Sequence, residues 1–147
     1  MENFCLLIVL NREKFLNSIY NYYHDANFKI LIAHNIKKEI SKPLNKNIQT
    51  IYIDEELAVI RTRKALEYIN EKYIMLFSDD DFVISQIIKK SLTFLKNNSN
   101  FSNAHGIQLS FDVSKKKLFS NPDRIDLPMV NFNDTKNIKI RLFESFI

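Results

Sequence analysis

The chain has 147 residues, 46% hydrophobic and 26% charged, with a formal net charge of +4, the composition of one soluble globular domain able to bury a substantial core. One cysteine, Cys5, excludes a disulfide framework and fits a reducing compartment, and one glycine excludes the Gly-rich phosphate loops of dinucleotide-binding and P-loop proteins. The lysines are scattered in short runs (Lys37-Lys38, Lys89-Lys90, Lys115-Lys116-Lys117) that read as solvated faces, so no nucleic-acid partner is expected.

Phe4–Leu10 is a continuous apolar run, as in a strand buried on both faces. It is too short to span a bilayer and lacks a basic leader or small-residue cleavage site. A cytoplasmic protein is therefore expected, with peripheral attachment at the inner membrane face as the variant. Phe15, Ile19, Tyr22 and Tyr23 then recur at helical spacing, and Lys29–Ala33 and Gln49–Ile53 read as short strands rich in β-branched residues. A helix is predicted from about Leu57 to Asn70, with Ala58, Ala65, Leu66 and Ile69 on one side. Tyr73–Phe77 is the most hydrophobic strand and reads as buried. A second helix carries Ile84, Ile87, Ile88, Leu92 and Leu95 on one face and ends at the Asn97–Asn100 polar stretch. A strand at about Ile107–Phe111 follows, pairing with Lys117–Ser120. Residues 121–135 read as irregular, and Ile138–Phe146 as a last helix. Its load of Ile138, Ile140, Leu142, Phe143, Phe146 and Ile147 predicts self-association through the C-terminal segment.

Strand–helix alternation with short connections predicts an α/β domain with a mainly parallel sheet covered on both faces. One domain over 1–147 is expected, with an α/β core at 1–112 and a partial extension at 113–147. Ligands of such sheets sit beyond the carboxyl ends of the strands. There the sequence puts Asn11-Arg12, His34-Asn35, Asp54-Glu55-Glu56 and Ser78-Asp79-Asp80-Asp81. Three adjacent aspartates repel one another unless a cation is present, and Mg²⁺ or Mn²⁺ suits hard carboxylate oxygens shared with phosphates. The competing reading is that the aspartates cap the following helix, where free amides and the positive dipole end favour them.

The stretch from Tyr73 to Phe82, Tyr-Ile-Met-Leu-Phe-Ser-Asp-Asp-Asp-Phe, resembles the DxD region of family 2-type glycosyltransferases, in particular a bacterial branch with Asp-Asp-Asp-Phe after a hydrophobic strand. Leu7-Ile-Val-Leu-Asn-Arg12 is similar to that family's first strand. Ser91-Leu-Thr-Phe-Leu-Lys-Asn-Asn98 with Ala104-His-Gly-Ile107 is similar to its helix and strand after the DxD. The resemblance covers about residues 4–112. It implies a GT-A-like (Rossmann-like) fold, truncated at the C-terminus, that binds a nucleoside-diphosphate sugar through a divalent cation. It also implies transfer of the sugar to a saccharide or lipid-linked acceptor, as in surface polysaccharide synthesis.

Carried over by position, Asn11, Arg12, Asp54, Arg63 and Asp79 would lie at the nucleotide sugar, and Asp79, Asp80 and Asp81 at the metal. Asp80 and Asp81 are the better metal ligands of the three. His34-Asn35 stands where relatives commonly have an aspartate. The acceptor half with its general base normally lies further along than this sequence runs, which leaves Asp112 and Glu144 as the late acids for that role. Two other readings stay open: a metal-dependent nucleotidyl- or phosphotransferase, and a non-catalytic α/β interaction domain whose aspartates only cap a helix.

Overall fold

The computed structural model describes residues 3–104. The elements predicted after Ala104, with Asp112, Glu144 and the apolar C-terminal segment, lie outside these residues. Two compact units divide the chain, Met1–Lys90 and Ser91–Ile147.

The first unit is an α/β fold around a four-stranded, wholly parallel sheet. Strand β1 (Phe4–Leu10) leads through a 3-10 turn (Glu13–Phe15) and helix α1 (Leu16–Tyr22) to β2 (Lys29–His34). Strand β3 (Ile48–Tyr52) is followed by helix α2 (Ala58–Leu66) and β4 (Tyr73–Ser78). The order across the sheet is β3-β2-β1-β4, all neighbours parallel. Every residue of β1 is buried because it has a strand on each side and cover on both faces. Each fully buried Leu or Ile of that strand contributes roughly 1.5–3 kcal/mol of apolar burial. Replacing Leu7 by Ala would cost about 2–5 kcal/mol.

One sheet face carries Cys5, Leu7, Leu31 and Ala33, which pack with Ala65 of α2 and with Ile53. The opposite face is met by an aromatic group, Phe4 against Phe28 at 5.5 Å between centroids and Phe28 against Tyr23 at 6.4 Å. With so few glycines, asparagines shape the turns. Asn45 donates to the carbonyls of Tyr23 and Ala26 and accepts from the Asn47 amide, which sets the entry into β3. Asn3, at φ 60°, takes the left-handed conformation that asparagine tolerates better than most residues.

Strand β4 differs from the buried strand its sequence suggests. Among the described residues it is the end strand of the sheet, and Ile74 and Leu76, in register with Cys5 and Leu7, are 44% and 56% exposed. Its other face, with Tyr73, Met75 and Phe77, is partly covered. Helix α3 (Ser85–Asn97) starts in the first unit, where Ile88 is buried while Ile84 and Ile87 remain exposed. In the second unit the described residues hold the end of α3, closed by Asn98 donating to the Phe94 carbonyl, with Phe94 and Phe101 in ring contact at 5.1 Å. No helix among the described residues is long and apolar enough to cross a membrane.

Candidate functional site

Because all four strands are parallel, their carboxyl ends form one rim, and the polar residues that follow each strand meet there. Asn11 and Arg12 follow β1, His34 and Asn35 end β2, Asp54–Glu56 follow β3, and Asp79–Asp81 follow β4. The sheet order separates them. Strands β3 and β4 stand at the two ends of the described order, so Asp54 lies three strand spacings, roughly 14 Å, from the aspartate turn.

The three aspartates occupy a turn, and α3 begins only at Ser85. Capping of that helix is therefore not what holds them, which corrects the helix-cap reading. Asp79 instead reaches across to the end of β1. Its Oδ2 accepts the backbone N–H groups of Asn11 at 2.8 Å and Arg12 at 2.7 Å. Its Oδ1 accepts Arg12 Nε at 3.0 Å and Arg12 Nη2. The side chain is fully buried, and charge-assisted bonds of this kind are roughly twice as strong as neutral ones. Asp79 thus locks β4 to the β1 turn with both oxygens committed.

Asp80 is exposed. Its Oδ1 accepts Arg12 Nη2 at 2.7 Å and the Ser78 hydroxyl at 2.8 Å, and these bonds hold its carboxyl below the usual range. Bonding to Asp79 and then to Asp80 likewise raises the Arg12 pKa. Asp81 is different again. It is partly buried and accepts no hydrogen bond from a described residue, and burial followed by repulsion from Asp80 raises its pKa. Three identical residues in a row therefore have three environments: one structural, one paired with an arginine, one without a hydrogen-bond donor among the described residues.

Arg63, the arginine singled out from the sequence, lies exposed on α2. The arginine that reaches the rim from that helix is Arg61, which is 1% exposed. Its Nη2 donates to Asn11 Oδ1, and its Nη1 donates to the carbonyls of Glu55 at 2.5 Å and Glu56 at 3.4 Å. It ties the turn after β1 to the turn after β3. Its Nε is buried without a hydrogen-bond partner among the described residues, a deficit of about 1–3 kcal/mol. The signal was present in the helical phase: Ala58, Arg61 and Ala65 share the inward face, whereas position 63 does not.

His34 is buried and accepts the Ile36 amide on Nδ1 at 3.3 Å, which leaves the proton of the neutral ring on Nε2. Burial, and then the charge of Arg61, lower its pKa and favour that neutral form. Tyr52 lies against the His34 ring at 5.9 Å and donates its hydroxyl to Asp54 at 3.0 Å. Beyond the aspartate turn, Phe82 packs on Tyr22 at 4.7 Å, and the Val83 amide donates to the Tyr23 hydroxyl at 3.1 Å. These contacts pin the downstream end of the turn to the end of α1. Burial pushes the Tyr23 hydroxyl up to about 12, so it stays a neutral donor and acceptor.

Chemically, the rim offers two carboxylates beside an arginine on one side, and a neutral histidine with a tyrosine–aspartate pair on the other. No group of three or more His, Cys, Asp or Glu side chains among the described residues is placed to hold a metal ion by itself. No family model matches this chain, and neither a curated protein nor a solved structure matches it.

Proposed function

We propose that the chain is a glycosyltransferase-like domain of GT-A-like fold. In this reading it binds a nucleoside-diphosphate sugar with Mn²⁺ or Mg²⁺ and passes the sugar to a saccharide or lipid-linked acceptor. The observation that carries the reading is the division of roles in the aspartate turn. Asp79 is consumed by four hydrogen bonds, while Asp81 sits partly buried next to Asp80 with no hydrogen-bond donor among the described residues. An ionised carboxylate in that position is costly unless a cation joins it.

The donor set fits such a cation. Asp80 and Asp81 supply hard oxygens, the ligand type that Mg²⁺ and Mn²⁺ share with water and substrate phosphates. When bound, the ion supplies Lewis-acid stabilisation of the charge on a departing diphosphate. The chain's own residues supply position. Asp79 and Arg61 hold the turn after β1 from two sides, one through its backbone amides and one through the Asn11 side chain. Arg12 brings a cationic fork to the same place, suited to phosphate oxygens. Asp54, oriented by Tyr52, offers a carboxylate for ribose hydroxyls at the far side of the rim.

Calorimetric titration of the chain with UDP and with GDP, each with and without Mn²⁺, tests the reading. Nucleotide binding should require Mn²⁺ and should be lost in Asp80→Asn/Asp81→Asn. Binding of equal strength without the ion, or in the double variant, would refute it.

A further inference from the structure

We propose that Arg12 is the resident counter-ion of the aspartate turn, and that a divalent cation engages Asp80 only by displacing the Arg12 guanidinium from it. The inference rests on the reading of Asp80 and Asp81 as the cation's ligands and adds a determinant of its affinity.

The geometry gives Arg12 two different kinds of contact. Toward Asp79 it is bound by its backbone N–H, by Nε and by Nη2, all on a fully buried carboxylate. Toward Asp80 it has one contact, Nη2 to Oδ1 at 2.7 Å, between side chains that are each 44% exposed. The second is the weak one, since an ion pair in contact with water contributes little. The guanidinium also lies over the Phe15 ring at 4.6 Å, a face that holds it whether or not Asp80 is engaged.

A cation coordinated by Asp80 would stand within a few ångströms of Nη2, where like charges repel strongly. The Asp80 contact is then the one to break, because Asp79 and Phe15 still hold the side chain. Arg12 thus makes the turn tolerable without metal and lowers its affinity for a bare ion. A nucleoside diphosphate relieves this, since its phosphate oxygens offer the displaced guanidinium a new acceptor. The consequence is that ion and nucleotide bind together rather than in sequence.

The test follows free Mn²⁺ by electron paramagnetic resonance during titration of the full chain, alone and with UDP or GDP. The parent is compared with Arg12→Gln and Arg12→Lys. Removing the charge in Arg12→Gln should tighten binding of Mn²⁺ alone on the order of tenfold, the effect of one unit charge a few ångströms away in a wet setting. Arg12→Lys keeps the charge but loses the fork that bridges Asp79 and Asp80, and should tighten it less. The gain in Mn²⁺ affinity on adding nucleotide should shrink in both variants.

Circular dichroism first establishes that each variant folds. Should Arg12→Gln not fold, Arg12→Lys alone decides, and Mn²⁺ affinity unchanged from the parent overturns the inference. Unchanged or weaker Mn²⁺ binding in a folded Arg12→Gln overturns it as well. If the parent still shows Mn²⁺-dependent nucleotide binding that the Asp80→Asn/Asp81→Asn pair abolishes, only the role of Arg12 falls. If no protein binds Mn²⁺ under any condition, the donor-site reading falls with it.

Discussion

Replacing Asp79 by Ala removes one carboxylate and four hydrogen bonds together. Two of the donors are the backbone amides of Asn11 and Arg12, which have no other partner among the described residues. At about 1–1.5 kcal/mol for each donor left unpaired, the loss is roughly 2–3 kcal/mol. The guanidinium of Arg12 is half-exposed and returns to water, so nothing is added for it. For a domain of this size the melting midpoint should fall by roughly 6–12 °C.

Asp80→Ala is the control, since Asp80 is exposed and its partners Arg12 and Ser78 can re-solvate; it should barely move the midpoint. The chain has no tryptophan, so far-ultraviolet circular dichroism during urea and thermal unfolding is the suitable probe. Equal stability of the two variants would refute the assignment of Asp79 as the structural member of the cluster.

Asp81→Asn should stabilise the chain in EDTA at neutral pH by about 0.5–1 kcal/mol, or about 2–4 °C, by removing a partly buried charge that Asp80 repels. The sign follows from the raised folded-state pKa: parent stability is full below the unfolded value of about 3.9 and is lost as pH rises through the folded value, so the variant's advantage should vanish in acid. A variant no more stable than the parent at pH 7 would count against the strain at Asp81. Arg61→Met should leave stability within about 1–2 kcal/mol, because a buried ion is replaced by apolar volume. It should still weaken Mn²⁺-dependent binding of UDP or GDP about 10–100-fold by freeing Asn11 and the Glu55–Glu56 turn. Unchanged affinity would show that Arg61 does not organise the rim. Cys5 is fully buried, with its thiol pushed up to about 11 by burial and then by Glu71. Disulfide-exchange labelling at pH 8 should therefore be slow in the native chain and rise with urea in step with unfolding. Rapid labelling without denaturant would contradict the burial of β1.

Within residues 3–104 the sequence by itself determined which segments became strands and helices, and which residues ended at the carboxyl-end rim. Phe4–Leu10 is apolar at every position, which only a strand covered on both faces accommodates. The polar residues after each strand then share one rim because parallel strands all end on the same side. The sheet order was decided by pairing between distant segments. Nothing local distinguishes β4 as the strand that ends the described sheet order with Ile74 and Leu76 exposed. The same order puts Asp54 and Asp80 at opposite sides of the rim.

Arg61 and Arg63 differ in sequence only by two positions, and it is the phase of α2 over the sheet that turns one inward and leaves the other in water. Asp79, Asp80 and Asp81 are chemically identical. Their roles part only where the tertiary fold brings the β1 turn alongside, because donors from Asn11 and Arg12 satisfy the first and Arg12 with Ser78 neutralises the second. The third, Asp81, accepts no hydrogen bond from a described residue, and burial followed by repulsion from Asp80 raises its pKa.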